Sequence, residues 1–173
     1  MNRTAINLTL LAIGLILAQA IVFNHICLFG VAVPFVFIYV ILRLPVTMSM
    51  PWVLTASFFI GLGVDIFSDT QGMNSLACTI IAVLRKPVLR LYFPREDDLT
   101  DPEPSIKSLG MGVYMKYALT MTLIYCSLIF MIESFTFFYL LRLILRIIFS
   151  TILTTLLILG LDSLAVKRHE KRL

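Results

Sequence analysis

Gly61-Leu62-Gly63-Val64-Asp65-Ile66-Phe67-Ser68-Asp69-Thr70-Gln71-Gly72 is the stretch from which the rest of the chain is read. No charged residue occurs from Leu44 to Val64, and a second uncharged run, Thr70 to Leu84, begins inside the stretch. An apolar, glycine-bearing helix therefore ends at an aspartate. A second acid follows about one turn later, and a glycine restarts the hydrophobic pattern. Ser57, Gly61, Asp65 and Asp69 are spaced by four, so a continuing helix carries them on one slowly drifting stripe. Small residues on such a stripe let a neighbouring helix come close, which predicts that Asp65 points into the protein rather than at lipid.

The surroundings say what kind of helix this is. The chain has 173 residues, 60% of them hydrophobic and only 14% charged, and its mean hydropathy is +0.98. Soluble domains carry about 25% charged residues. One domain, residues 1–173, cannot hide this much apolar surface in its own core, but a bilayer can. The expected class is all-α, a polytopic transmembrane helical bundle. The net charge of +4 does not point to nucleic acid, because the basic residues sit at the ends of apolar runs. Cys27, Cys78 and Cys126 lie in or beside apolar segments, with no CxxC or Cys/His spacing, and read as packing residues.

Arg3 is followed by 39 uncharged residues, Thr4 to Leu42. A helical span needs about 20, so this run holds two, 5–23 and 30–44, with a turn near Asn24-His25. The first carries Gly14-xxx-Ala18, a small-residue contact face. Ala18-Gln19-Ala20 also resembles a signal-peptidase site, but the basic region before it is weak and hydrophobicity continues beyond, so an uncleaved span is expected. Pro34 sits near the start of the second span, where proline is tolerated. Arg43 to Pro51 reads as a tight loop, after which Trp52 anchors a third span, 52–65, at an interface. A short fourth span follows at 72–84.

Residues 85–115 form the one sizeable hydrophilic loop. It is basic and apolar from Arg85 to Arg95, then acidic and proline-bearing from Glu96 to Pro104. The first part suits an anionic lipid surface; the second reads as a flexible linker or a docking segment for a basic partner. A fifth span at 116–133, an aromatic turn from Ser134 to Tyr139, a sixth span at 140–164 and a basic tail at 165–173 complete six spans. With the N-terminus inside, twelve of the fourteen Lys and Arg residues fall in inner loops or tails, and the other two, Arg142 and Arg146, open the last span. The positive-inside rule then predicts both termini in the cytoplasm.

That orientation gathers Asp65, Asp69, Glu133, Arg142 and Arg146 on the outer side. An unpaired charge at mid-bilayer costs about 2.5–3.5 kcal/mol on insertion scales. Two readings stay open: a polar cluster in which the arginines meet the acids, or separate side chains snorkelling to the interface.

Catalysis was weighed against both. Gly61-Leu62-Gly63-Val64-Asp65 is similar to the Gly-x-Gly-Asp signature of intramembrane aspartyl proteases, but a residue intervenes before the aspartate. No second helix brings an aspartate to the same depth, and Asp162 belongs to the opposite face. His25 and His169 have no nucleophile beside them, and no glycine-rich phosphate loop occurs. The expectation is a protein that is not an enzyme, with no catalytic residue, cofactor or metal.

The residues quoted so far resemble the MreD family, bacterial rod shape-determining membrane proteins. The resemblance covers nearly the whole chain and rests chiefly on Gly61, Gly63, Asp65, Gly72 and Leu76, a Gly-rich helix ending in an aspartate before a glycine and an apolar helix. Basic residues after the fourth span and an arginine in the last also fit. The acidic stretch Glu96–Pro104 is longer than the family pattern. The resemblance implies a bundle similar to the substrate-binding subunits of energy-coupling-factor transporters. It also implies a non-enzymatic scaffold of the cell-elongation machinery that holds MreC directly, with MreB, RodA and a penicillin-binding transpeptidase in the same complex and a homodimer left open. In that reading Gly14 and Ala18, or Ser57 and Gly61, receive a partner helix, and Gly63, Asp65 and Gly72 shape the contact. The competing expectation is a substrate-binding subunit for small-solute uptake, with the outer polar cluster as its pocket.

Overall fold

A computed structural model describes residues 2–23, 33–70, 72–93, 103–133 and 140–170. The expected turn at Asn24-His25, Cys27, most of the acidic stretch Glu96–Pro104 and the aromatic turn Ser134–Tyr139 lie outside them, as do the side chains of the basic tail. The described chain is helical, with no strand. Its elements are α1 (Asn2–Ala18), continued by a π-helical turn Gln19–Phe23, α2 (Ile38–Arg43), α3 (Met50–Ser68), α4 (Met73–Tyr92), α5 (Ile106–Leu109), α6 (Met111–Glu133) and α7 (Leu140–Glu170).

Among the described residues, three helices are long and apolar enough to cross a membrane: Met50–Ser68, Met111–Glu133 and Leu141–Ala165. They show lipid rather than water the side chains that a soluble protein would bury. Phe58, Phe59, Ile66 and Phe67 on α3, and Leu141, Ile148, Phe149 and Leu156 on α7, are all exposed. Exposed apolar side chains in that number suit helices that face a membrane.

The segment expected to be the second span differs most from expectation. Among its described residues, 33–44, only the six from Ile38 to Arg43 are helical. The preceding residues 33–37 enter the core as irregular backbone, held by side chains of two other helices. Val33 N–H donates to Ser150 Oγ (3.0 Å) and Phe35 N–H to Thr154 Oγ1 (3.1 Å). Gln19 takes both sides of the next pair: its Nε2 donates to the Pro34 carbonyl (2.9 Å) and its Oε1 accepts from Val36 N–H (3.0 Å). Pro34 explains the break, because it lacks an N–H and pushes the residue before it out of the helical region. Non-helical backbone at membrane depth persists only where protein satisfies it. From Val36 to Leu42 every residue is buried, so the run is apolar all round because it is the centre of the bundle, not because it faces lipid. Phe35 and Phe37 both meet the Tyr125 ring of α6, with centroids 5.2 and 5.8 Å apart in edge-to-face geometry.

α4 also runs beyond the expected 72–84. It continues through Arg85, Lys86 and Pro87 to Tyr92, so residues assigned to a loop by their charge are helical. Their helical phase buries Arg85 and Leu89 while Arg90 and Leu91 stay exposed. In the same way α6 starts at Met111 and α7 reaches Glu170.

Candidate functional site

The turn between α3 and α4 is built around Asp65. α3 ends because Asp69 adopts a left-handed conformation (φ 53°, ψ 36°), which aspartate tolerates better than most residues. Gly72, also left-handed (φ 76°), reverses the chain into α4. The first amides of α4 then need acceptors, as at any helix start. No side chain at the cap position supplies one. The Asp65 carboxylate, reaching over from the preceding helix, does.

Three donors converge on its Oδ1: Asn74 N–H (3.0 Å), Asn74 Nδ2 (3.0 Å) and the Thr70 hydroxyl (2.6 Å). Two more meet Oδ2, Ser75 N–H (2.8 Å) and the Ser75 hydroxyl. A buried carboxylate at the positive end of a helix, with hydrogen bonds to both oxygens, is stabilised without any cationic partner. The network extends further, since Tyr125 O–H of α6 donates to Asn74 Oδ1. One aspartate thus ties α3, α4 and α6 together.

Gly61 explains why the two helices can meet this closely. A Cβ placed on it would stand 2.6 Å from Ser75 Cα, 2.7 Å from the Asn74 carbonyl oxygen and 2.8 Å from Ser75 N, all backbone atoms. The stripe Ser57–Gly61–Asp65 is buried, as its spacing predicts, but α4 of the same chain occupies it. Gly63 turns another way, toward the Ile16 side chain of α1, 3.3 Å from where its Cβ would be. Gly14 meets nothing within 4 Å. It lines a shallow apolar groove of about 270 Å³ with Leu11, Leu15, Tyr39, Leu161 and Ala165. Ala18, one turn on, is half-buried.

The five charges expected in one outer cluster are distributed over separate places. Asp65 is in the joint just described, with α4 rather than Arg142 or Arg146 as its partner. The Asp69 and Arg142 side chains are exposed. Arg146 and Glu133 do meet: Nη1 lies 3.0 Å from Oε1, and the guanidinium stacks over Phe130 at 4.7 Å. Both side chains are partly open, 30% and 42% exposed. Their coupling in a double-mutant cycle of Arg146→Ala and Glu133→Ala is therefore expected to be small, about 0.2–1 kcal/mol. The Arg146→Ala and Asp65→Ala cycle should show none, and a coupling above 1 kcal/mol there would contradict this arrangement.

A second polar group, which the sequence reading did not assemble, lies at the α5 end of the bundle. Arg43 Nε pairs with Glu103 (2.8 Å) and its Nη1 donates to the Tyr39 hydroxyl (2.7 Å). Tyr39 donates on to Asp162 Oδ1 (3.0 Å), whose Oδ2 accepts from Ile106 N–H (2.7 Å). Asp162 is fully buried. Helix spacing puts it on the face of Ser150 and Thr154, but partners 56 and 123 residues away do not follow from spacing. For the α3–α4 joint a signal did exist: Thr70, Asn74 and Ser75 open an otherwise apolar helix, and such residues favour helix starts. Cys78 and Cys126 are buried free thiols.

No protein-family model, curated protein or solved structure matches this chain. What the fold itself defines is a class, a protein whose described elements are all helical, with three helices long and apolar enough to cross a membrane and an irregular segment, 33–37, at its centre.

Proposed function

We propose that this protein is a non-enzymatic membrane scaffold of the MreD type, which holds MreC and through it joins MreB, RodA and a penicillin-binding transpeptidase in the elongation complex. The observation that carries the reading is the α3–α4 joint. Of the residues on which the resemblance to MreD rests, Gly61, Asp65 and Gly72 have packing, capping and turning roles there, while Gly63 packs against α1. That use of an intramembrane aspartate suits a rigid framework. A catalytic aspartate needs room for substrate, whereas both oxygens of Asp65 are engaged. In this proposal the chain passes the inner membrane six times, with α1, the 33–43 segment and α4 adding to the three long apolar helices, and both termini lie in the cytoplasm.

The geometry also supports one partner face over the other. Gly61 is covered by α4 and Ser57 is buried, so the MreC helix seats in the groove beside Gly14, where close packing is open to it. Purification in a mild detergent is expected to recover MreC with the wild-type protein. Gly14→Ile should fold normally, because nothing stands within 4 Å of the new Cβ, yet lose most of the co-purified MreC. Recovery of an ATPase module in place of MreC would overturn the scaffold reading in favour of solute uptake.

A further inference from the structure

Arg85 is the largest side chain buried almost completely, 1% exposed, and its Nε, Nη1 and Nη2 all have no hydrogen-bond partner among the described residues. It projects from α4 against α6, where Tyr117 stands beside the guanidinium without a geometry that makes a hydrogen bond. The Tyr117 and Tyr114 hydroxyls are buried and unpartnered as well, and their rings are neighbours with centroids 6.5 Å apart. The three Arg85 nitrogens and the Tyr117 hydroxyl are therefore unsatisfied together, and all four can donate.

A guanidinium does not lose its proton in a protein, so Arg85 cannot escape the cost of burial by becoming neutral. It does not reach the surface by snorkelling either, since no part of it is appreciably exposed. Among the described residues, the acids of this end are committed elsewhere, Glu103 to Arg43 and Asp162 to Tyr39 and the Ile106 amide. A buried charge without a counter-charge is strongly unfavourable.

The geometry points to an oxyanion site between α4 and α6, in which the planar fork of Arg85 binds a phosphate-type group and the Tyr117 hydroxyl donates to one of its remaining oxygens. Arginine matches such a group with two parallel N–H donors. Tyr117 lies six residues into α6, about 9 Å along its axis from Met111. Lys86, Arg90, Lys107 and Lys116 stand around the same end and raise the local concentration of anions. Basic pockets between membrane helices hold anionic headgroups in this way. The inference does not depend on the scaffold proposal, because it rests on different residues and predicts a ligand rather than a protein partner.

The test uses the full chain, delipidated in detergent, with phosphatidylglycerol, inorganic phosphate or diacylglycerol added, read by native mass spectrometry and thermal shift. Phosphatidylglycerol should bind and raise the melting temperature, diacylglycerol should not, and Arg85→Gln should weaken the binding about tenfold or more. Tyr117→Phe keeps the charge and the fold's shape, and should weaken it about fivefold; this variant decides the matter where Arg85→Gln does not fold. An Arg85-dependent shift with inorganic phosphate alone assigns the site to a soluble anion. Binding of both probes unchanged by either substitution overturns it.

Discussion

Asp65→Ala is expected to destabilise the protein by about 3 kcal/mol. The change removes a charge-assisted acceptor from two backbone amides and leaves Asn74 N–H and Ser75 N–H buried at the start of α4 with nothing to receive them. The loss should extend beyond one helix end, because Asn74, once released from Asp65, no longer fixes the Tyr125 hydroxyl of α6. Asp65→Asn has nearly the same shape and keeps one acceptor oxygen, so it should recover roughly half of the difference. Equilibrium unfolding in mixed micelles measures both. If alanine and asparagine each cost under about 0.5 kcal/mol, as a surface substitution would, the capping role assigned to Asp65 is wrong. Measured beside MreC capture, the same pair separates a structural joint from a contact: destabilisation with capture intact per folded molecule confines Asp65 to the framework.

Gly61→Ala should be the second most damaging small change, and its sign is informative. Alanine is the better helix former by about 1 kcal/mol, which would favour the substitution on an open helix face. At Gly61 the added methyl meets the backbone of Asn74 and Ser75 at 2.6–2.8 Å. Backbone cannot rotate away, so α3 and α4 must separate, and overpacking of this kind costs about 1–3 kcal/mol. The steric term wins, leaving a net loss of about 1–2 kcal/mol, and Gly61→Val should be worse. Separation of the helices also lengthens the Asp65 contacts, so the Gly61 and Asp65 changes should be less than additive. Gly112, helical and exposed with nothing within 4 Å of a Cβ, is the internal comparison: Gly112→Ala should be neutral or stabilising by up to about 1 kcal/mol. Equal effects at the two glycines would show that helix propensity, not helix contact, governs both.

The stretch from Gly61 to Gly72 already implied a close helix contact and an inward aspartate, because residues four apart share a helix face whatever the tertiary structure. It did not imply the partner. An intramembrane aspartate near the end of a span invites pairing with an arginine, and Arg142 and Arg146 were expected on the same side. The acceptor-hungry start of α4 lay nearer still, only nine and ten residues on in sequence. Backbone amides carry no letter of their own, and a sequence reading that counts charges passes over them. Arg85 misled for the reverse reason. Beside Lys86 and before Pro87 it reads as an interfacial loop charge, whereas a helix continuing through the proline turns it inward.

The periodicity, composition and charge order of this chain determine an all-helical, membrane-crossing protein, because apolar runs of that length have no other place to bury themselves. They also determine which residues share a face, since helix geometry is local. Only the tertiary structure decides that residues 33–37 are irregular, held by Gln19, Ser150 and Thr154. It alone shows that Asp65 caps α4 and that Arg85 lies inside with its nitrogens unmatched. Each of these depends on which groups meet across distant parts of the chain, and a hydrogen bond or a buried charge is satisfied by whatever the fold brings near it.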